Sequence, residues 1–382
     1  MKKRNFPWVE RGTVRPSLGW QFGFLRGFCR GETASAPPYA LTVDVTLRCN
    51  LNCLHCRRHS PLSVAAQAAF EYDFPLELFL SLCLEAKELG IRKVVLIGDG
   101  EPLMHPSIME MVAAAKQAGC AVTLLTNGTL LSANHAREFQ VAGLDELRVS
   151  LWASDVEEYK DLYPGSPPSL FRRAVEGVKD FTTGIRAAGG HRPRVVLHRP
   201  IDRRFFRRRE GTLDLARETG CDAVSFSPVK PLLQDSTGKL LSGGEVRELL
   251  GLLPTLGRKV TALGLEHNLG DLRRRLELGR EVWRKLPCYI GWVDMRVRIN
   301  GDVLPCDTCN WVLGNVRQNG LREIWNGRPY CEFRRATRRP ESLAESGRCN
   351  CDYCCHAVAN QRLHRLLCWV PSPVPAAREV SA

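Results

Sequence analysis

Three cysteines lie within eight residues of one another, at Cys49, Cys53 and Cys56. Three thiols are one ligand short of a tetrahedral metal site and one too many for a disulfide. Three thiolates on a short loop suit an iron–sulfur cluster in which one iron has no protein ligand. A zinc site with His55 or His59 as the fourth ligand is the alternative, and the spacing alone does not separate the two.

The composition and net charge of the chain limit which cellular compartment and which binding partners we expect. The chain has 382 residues, 16 cysteines and a net charge of +13, with no apolar stretch behind its basic start and no run of 18 apolar residues. We therefore expect neither a signal peptide nor a transmembrane segment, and a cytoplasmic location in which clustered cysteines serve metal or redox chemistry. Because the arginines are spread through the chain, apart from residues 203–209, nucleic-acid binding is not favoured.

Between residues 40 and 230, short apolar runs alternate with helical patterns, as in sheets of parallel strands covered on both faces. The runs are 41–47, 93–98, 121–127, 146–152, 194–200 and 222–229, and the helical patterns are 74–90, 106–119, 131–143, 171–189 and 211–220. This predicts an α/β fold, with a partial (β/α)6 TIM-like barrel preferred over an open doubly wound sheet. Ligands bind at the carboxyl ends of such strands, and the three-cysteine loop directly follows the first one.

The composition changes after the barrel. Residues 236–287 indicate connecting helices, and residues 288–360 indicate a small, metal-stabilised domain with short strands and further cysteines. The predicted division of the chain is an N-terminal extension, the barrel, the connecting helices, the small domain and a tail, at 1–39, 40–235, 236–287, 288–360 and 361–382. The aromatic and basic segment 15–31 is predicted to pack against the barrel rather than to lie on a membrane.

Four short motifs follow the first four predicted strands in order. The pattern Cys49-x3-Cys53-x2-Cys56 after the first strand resembles the signature of the radical S-adenosylmethionine (SAM) superfamily, which usually places a ring-bearing residue where His55 stands. The second strand ends in GDGEP (98–102), which is similar to the GGEP motif of the family, with Asp99 in place of the usual second glycine. TNG (126–128) and SLW (150–152) follow the next two strands at family-like positions.

The resemblance implies a 4Fe–4S cluster on Cys49, Cys53 and Cys56, with the amino and carboxylate groups of SAM on the fourth iron. One electron from the cluster, supplied by a reductant such as flavodoxin or ferredoxin, would cleave SAM to a 5′-deoxyadenosyl radical that abstracts hydrogen from an unactivated C–H. Cofactor-binding roles follow by position for His55, Gly98, Asp99, Gly100, Glu101, Asn127, Ser150 and His198. For His198 a position on the surface without such a role stays open.

The second cysteine group resembles the SPASM/Twitch domains that follow many radical SAM barrels, because Cys288 is followed by x12-Gly and then by x4-Cys306. This implies one auxiliary 4Fe–4S cluster on Cys288, Cys306, Cys351 and Cys354. A zinc ribbon on the pairs Cys306–Cys309 and Cys351–Cys354 is the rival. A second auxiliary cluster could use Cys309, Cys331, Cys349 and Cys355.

Two residues beside the auxiliary ligands are catalytic candidates. Asp307 is placed like the base that accepts a substrate proton in SPASM dehydrogenases, and Cys309 could donate a hydrogen atom, as in radical epimerases. Either residue could also be structural.

Three functions are compatible with these features. The first is dehydrogenation or epimerisation of a small polar molecule such as a sugar, aminocyclitol or nucleoside. The second is modification of a ribosomally made peptide, although such maturases often carry an N-terminal recognition domain and only about 40 residues precede the first strand here. The third is a non-catalytic zinc- or nucleic-acid-binding protein.

Overall fold

The structure is a computed structural model of the chain. It describes residues 16–63, 72–189, 192–229, 239–279, 286–338, 343, 347–349 and 354–367. Contacts between residues divide the chain into two units. The barrel unit consists of residues 42–83 and 94–279, and the C-terminal unit consists of residues 1–41, 84–93 and 280–382, as far as they are described.

The secondary structure alternates strands and helices up to residue 278 and then changes to short elements. The strands are β1 Ala40–Asp44, β2 Lys93–Ile97, β3 Ala121–Thr126, β4 Glu146–Val149, β5 Arg194–Ile201, β6 Ala223–Pro228, β7 Glu266–His267, β8 Asp294–Val297, β9 Asp302–Leu304 and β10 Gly314–Asn315. The helices are α1 Leu18–Arg30, α2 Leu76–Leu89, α3 Ile108–Gln117, α4 Ala133–Ala142, α5 Val156–Leu162, α6 Ser169–Ala188, α7 Glu210–Glu218, α8 Gly243–Ala262, α9 Leu269–Leu278, α10 Leu321–Trp325, α11 Arg328–Thr337 and α12 Ala357–Leu367.

The sheet of the barrel unit has its strands side by side in chain order, from β1 to β7. All neighbouring pairs from β3 to β7 are parallel. A doubly wound sheet would reverse its strand order at one point, and this sheet does not. The partial barrel is therefore confirmed, and each of the six predicted apolar runs forms a strand, while β7 was not predicted.

The two faces of these strands differ in chemistry, because successive side chains point to opposite sides. One face carries buried apolar residues such as Val122, Leu124, Leu147, Val149, Val195 and Leu197. The other face carries half-buried polar residues at Arg148, His198, Ser225 and Ser227. The strands thus present polar groups on one face and leave their carboxyl ends for the loops that carry the predicted motifs.

The basic run at 203–209 is largely neutralised by acidic residues of the same unit. Arg203 donates to Glu245 at 3.0 Å and Arg207 donates to Glu248 at 2.7 Å, and both acceptors lie on α8. The run therefore joins the end of β5 to α8. Of the range 236–287, predicted as connecting helices, the described residues 239–279 belong to the barrel unit and contain α8 and α9.

The C-terminal unit contains a small antiparallel sheet in the order β8, β9, β10. Helix α1 lies in this unit and buries Trp20, Phe24 and Phe28. The Phe28 ring lies 5.4 Å from the ring of Tyr289. The apolar face of α1 is therefore part of the core of the C-terminal unit, a place that the sequence did not indicate, and the packing of the N-terminal segment against the barrel stays a prediction.

A buried arginine joins several segments of this core by hydrogen bonds. Arg334 is fully buried and donates to the carbonyl oxygens of Gly291, Glu32 and Trp325 at 2.7, 3.0 and 2.7 Å. Its guanidinium also lies 4.5 Å from the Trp325 ring centroid. One side chain of α11 thereby joins the segment after Cys288, the residues that follow α1, and α10.

In the described residues, no helix is both long and apolar enough to span a bilayer.

Candidate active site

The cysteine loop begins at Thr46, which is held by side-chain hydrogen bonds. Thr46 Oγ1 donates to Asp73 Oδ1 at 2.6 Å, and the Arg48 guanidinium pairs with Asp73 Oδ2 at 2.6 Å. The N–H of Arg48 donates to Thr46 Oγ1 at 3.1 Å. The first turn of the loop is therefore fixed before the chain reaches Cys49.

The three loop thiols are half-buried and close to one another. Burial raises the pKa of Cys49 to about 11, and the charges of Glu101 and Cys56 contribute to the rise. Burial also raises the pKa of Cys53, with contributions from Cys56 and Cys49. Coordination to a metal removes the thiol protons and neutralises the thiolate charges, so thiols in this position gain most from it. The donor set fits an iron–sulfur cluster on these three residues.

The two histidines considered as a fourth zinc ligand differ in their surroundings. His55 Nε2 lies 3.2 Å from Asp202 Oδ2. The backbone N–H of His59 donates to Cys56 Sγ at 3.2 Å, and the ring Nε2 of His59 is buried without a hydrogen-bond partner among the described residues. In the part of the chain that the structure describes, no three His, Cys, Asp or Glu side chains are grouped as a single metal ion requires. A four-iron cluster imposes a wider spacing than one ion, because each thiolate binds a different iron.

The GDGEP stretch lies directly against the backbone of the cysteine loop. The N–H of Gly100 donates to Thr46 O at 3.0 Å, and the N–H of Glu101 donates to Arg48 O at 2.6 Å. A Cβ atom at Gly100 would overlap Arg48 O, and one at Gly98 would lie 2.6 Å from Thr46 O. Glycine is required at both positions because the two motifs share this close backbone contact.

The non-glycine residue of this stretch makes a different contact. Asp99 accepts two hydrogen bonds from Arg57 Nη2, at 2.9 and 3.3 Å. Both side chains are about one-third exposed or less, so the pair contributes little to stability. The carboxylate of Asp99 thus binds the cysteine loop, a link that the sequence did not indicate.

Glu101 has a buried carboxylate that is used within the protein. It accepts hydrogen bonds from Thr126 Oγ1 at 2.6 Å, Leu103 N at 3.0 Å and Asn127 N at 2.6 Å. Burial raises its pKa, and these hydrogen bonds oppose the rise. Three of about four lone-pair positions are occupied. The side chain therefore joins the ends of β2 and β3, in addition to any contact that it makes with a cofactor.

Asn127 is bonded to the cysteine loop through an amide network. Its Nδ2 donates to Asn50 Oδ1 at 2.9 Å, and its Oδ1 accepts from Thr129 N at 2.9 Å. Asn50 Nδ2 donates to Thr129 Oγ1 at 2.8 Å, which closes the network. Asn50 and Thr129 were not predicted, although the position of Asn50 between two of the loop cysteines is a signal that could have found it.

The ring of His55 interacts with the end of β5. Burial raises the pKa of Asp202, but hydrogen bonds from His55 and from the N–H of Phe205 outweigh it and hold the pKa below its ordinary value. The His55 ring also lies 5.9 Å from the ring of Trp152. Asp202 was missed in the sequence, although its place directly after a strand was the available signal.

Ser150 and His198 lie on neighbouring strands. Ser150 is half-buried at the end of β4, and its N–H donates to Thr126 O at 2.7 Å. His198 Nδ1 lies 3.4 Å from Ser225 Oγ, and its Nε2 lies 3.3 Å from Ser227 Oγ. His198 is therefore not an isolated surface histidine, because its ring bridges to β6 on the polar face of the sheet.

The C-terminal unit brings together part of the predicted auxiliary ligand set. Burial raises the pKa of Cys288 to about 12 and that of Cys306 to about 11, and Cys355 contributes to both increases. Cys355 therefore lies near these two thiols, although the sequence assigned it only to an alternative second cluster. Cys354 is buried. Cys351 lies outside the described residues.

The two catalytic candidates of this unit have partners in the structure. Cys309 forms a disulfide with Cys349. In that state Cys309 has no S–H from which a hydrogen atom could be donated, so its predicted role applies only to a reduced protein. Asp307 Oδ1 accepts from the buried Arg296 guanidinium at 2.6 Å, and a cation at this distance stabilises the carboxylate form.

Comparisons with known proteins agree with this geometry. The model of the Radical SAM superfamily matches residues 43–191, and that of an iron-sulfur cluster-binding domain, SPASM, matches residues 288–355. The chain is similar to an AdoMet-dependent heme synthase of Methanosarcina barkeri, with 26% identity over 336 residues covering 83% of this chain and 89% of the relative. It is also similar to a PqqA peptide cyclase of Streptomyces rochei, with 26% identity over 345 residues covering 84% and 86%.

Among solved structures, SuiB of Streptococcus suis bound to its precursor peptide SuiA shares the fold. The TM-score is 0.61 and the identity 16%, over 86% of this chain and 75% of that one. The two matched domains bring a 4Fe–4S cluster, SAM and auxiliary iron–sulfur binding. The chain is therefore a radical SAM enzyme with a C-terminal SPASM iron–sulfur domain, and belongs to the radical SAM superfamily.

Proposed function

We propose that this enzyme modifies a peptide, by removing hydrogen from a carbon atom of a side chain. The observation that carries the proposal is the similarity to PqqA peptide cyclases, which extends over 84% of this chain in the Streptomyces rochei protein and thus includes both domains. These relatives support the peptide alternative better than the small polar substrate that was expected first.

The barrel unit supplies the general part of the reaction. Cys49, Cys53 and Cys56 would hold the cluster, and bound SAM would provide the 5′-deoxyadenosyl radical on reduction. Gly98 and Gly100 let the GDGEP backbone approach the cysteine loop. The protein then orients the cosubstrate and excludes competing reactions of the radical.

The substrate would be contacted by polar groups of β5 and β6, among them His198, for which the sequence analysis gave a cofactor-binding role. His198, Ser225 and Ser227 form a hydrogen-bonded group on one face of β5 and β6. Hydroxyl and imidazole groups can both donate and accept hydrogen bonds, which suits peptide amides and carbonyls. We assign these residues to peptide orientation.

The C-terminal unit would supply electron and proton transfer. Loss of a second electron after hydrogen abstraction requires an acceptor, and an auxiliary cluster on Cys288, Cys306, Cys351 and Cys354 would serve. The proton released at the same time would pass to Asp307, whose carboxylate Arg296 stabilises. The electron for SAM cleavage would come from flavodoxin or ferredoxin.

The test begins with protein reconstituted without oxygen and supplied with SAM and a strong reductant. Each short peptide encoded beside the gene is added, and both 5′-deoxyadenosine and peptide mass are followed by liquid chromatography and mass spectrometry. We expect one peptide to lose two hydrogens in proportion to the 5′-deoxyadenosine formed. The Cys53→Ala variant is the control and should form neither product.

The similarity to the AdoMet-dependent heme synthase supports a second candidate, because its coverage is as high. The same reaction is therefore run with a tetrapyrrole carboxylic acid. Loss of carbon dioxide from the tetrapyrrole, with every peptide unchanged, would favour that function and contradict the peptide proposal.

A further inference from the structure

Helix α1 has two apolar faces, and the core of the C-terminal unit uses only one of them. On the other face Leu18 is 72% exposed, Phe22 is 70% exposed and Leu25 is 37% exposed. Because these residues are four and three positions apart, their side chains form one stripe along the helix, here called the α1 stripe. A single exposed apolar side chain needs no explanation, whereas a contiguous exposed patch marks an interaction surface.

Positive charges lie beside the α1 stripe. Arg26 and Arg30 are exposed on the same helix, one turn apart. The helix itself contains no acidic residue. The acidic residue that follows it, Glu32, pairs with Arg335 at 2.5 Å. A surface that contacts the α1 stripe therefore also meets these two guanidinium groups.

The sequence that leads into α1 has the same composition. Residues 1–15 contain five basic residues against one acidic residue, together with Phe6 and Trp8. Leucine and aromatic side chains combined with lysine and arginine are typical of segments that lie in a membrane interface. The apolar side chains enter the boundary between headgroups and acyl chains, and the basic side chains attract anionic headgroups.

We propose that the α1 stripe docks this enzyme on the surface of a bilayer that carries anionic headgroups. Leu18, Phe22 and Leu25 enter the headgroup boundary, and Arg26 and Arg30 lie against the headgroup charges. The helix has 13 residues and a bilayer span needs about 20, so α1 lies on the membrane and does not cross it.

Two other arrangements agree less well with the structure. A second copy of the chain is repelled, because each copy carries a net charge of +13. The sequence favoured packing of the segment 15–31 over contact with a membrane, but in the structure packing accounts for one face of α1 only. The docking surface is independent of the proposed peptide substrate, and failure of either proposal leaves the other standing.

The test is flotation of the full reconstituted chain with two kinds of vesicle. One contains phosphatidylcholine alone, and the other contains equal parts of phosphatidylcholine and phosphatidylglycerol. We expect binding to the anionic vesicles to be about five- to thirtyfold stronger, as two arginines near the surface would give. Failure to bind the anionic vesicles, or equal binding to both kinds, would overturn the proposal.

Two pairs of variants separate the α1 stripe from general surface effects. Phe22→Ser should weaken binding to the anionic vesicles about tenfold, and Arg26→Glu should weaken it more than about fivefold. The matched controls are Val141→Ser, at an 83% exposed valine of α4, and Arg172→Glu, at an exposed arginine of α6. Each control should stay within about twofold of wild type. All four positions are exposed, so thermal unfolding should be unchanged, and equal effects of variants and controls would contradict the assignment.

A photochemical readout distinguishes a lipid from a protein on the α1 stripe. Phe22 is replaced by the photoreactive amino acid benzoylphenylalanine, and cells that produce the full chain are irradiated. We expect a phospholipid adduct, identified by mass spectrometry, that is absent when the same amino acid replaces Val141. A cross-linked protein in place of the phospholipid adduct would assign the stripe to a protein partner and overturn the membrane proposal.

Discussion

Replacement of Glu101 by glutamine tests whether this carboxylate organises the site or only contacts SAM. In the structure its two oxygens serve different backbone donors, since Oε1 accepts from Leu103 N and Oε2 accepts from Asn127 N. Thr126 Oγ1 also donates to Oε1, but a hydroxyl can rotate and accept instead. The two N–H groups cannot reverse their roles.

The expected loss of stability follows from the number of acceptor oxygens in each side chain. A glutamine side chain has one acceptor oxygen, so in either orientation one of the two backbone N–H groups faces the NH₂ group. Loss of a hydrogen bond to a charged acceptor costs about 1.5–3 kcal/mol. Removing a buried charge offsets part of this cost. We expect the free energy of unfolding of the barrel unit to fall by about 1–3 kcal/mol, or roughly 2–12 °C in melting temperature.

The assay is urea and thermal unfolding of the reconstituted protein, with SAM affinity measured by calorimetry on the same samples. Glu138→Gln is the matched control, because Glu138 is exposed on α4 and its replacement should change stability by less than about 0.5 kcal/mol. Burial raises the pKa of Glu101, so its ionisation opposes folding as the pH rises through the folded-state value. The difference in unfolding free energy between wild type and Glu101→Gln should therefore be largest below the ordinary pKa of a glutamate and narrow as the pH rises through the folded-state pKa of Glu101. Wild-type unfolding combined with weaker SAM binding would refute the reasoning, since it would mean that the carboxylate acts on SAM alone.

Three further outcomes are expected. Gly100→Ala should abolish SAM cleavage because a Cβ atom at this position overlaps the backbone of the cysteine loop. Asp99→Gly should change the free energy of unfolding by less than about 1 kcal/mol and keep SAM cleavage. Equal activity of the two variants would contradict this assignment. Arg334→Lys should lower the unfolding free energy of the C-terminal unit by about 3–5 kcal/mol, measured by urea titration of tryptophan fluorescence, because an ammonium cannot make the four hydrogen bonds of the buried guanidinium. Cys53→Ala and Cys288→Ala should each lower the iron content from about eight to about four atoms per chain. Formation of 5′-deoxyadenosine should be lost only in Cys53→Ala. Loss of 5′-deoxyadenosine formation in both variants would contradict the assignment of separate clusters.

The arrangement of the barrel could be predicted because its signal is local and repeated. Each long strand is a run of buried apolar residues, and each is followed by a helical pattern, so hydrophobic periodicity was sufficient. Strand β7 has two residues, too few for a pattern, and was missed. The place of α1 was also missed, because Trp20, Phe24 and Phe28 make an apolar face that could pack on any core. Its partner, Tyr289, is distant in the chain and carries no pairing signal.

The residues of the candidate active site likewise fall into those that the sequence predicted and those that it did not. Cysteines and glycines are recognised because their roles depend on residue type and spacing, and the structure gives the reason for Gly98 and Gly100. Asp202 and Asn50 were missed because their roles depend on which partner the fold brings to them.

The hydrogen bonds around the cysteine loop distinguish the residues that position the cofactor from those that select the substrate. Thr46 accepts from Gly100, Asn50 bonds to Asn127 and His55 bonds to Asp202. The loop is therefore fixed to the ends of three strands by protein groups alone, and its geometry does not depend on the substrate. A loop fixed in this way positions the cluster for any substrate that the barrel admits, which is why the cofactor motifs identify the chemistry and not the molecule attacked. Substrate choice must then depend on side chains outside the motifs, and variants of His198 should change which peptides are modified before they change SAM cleavage.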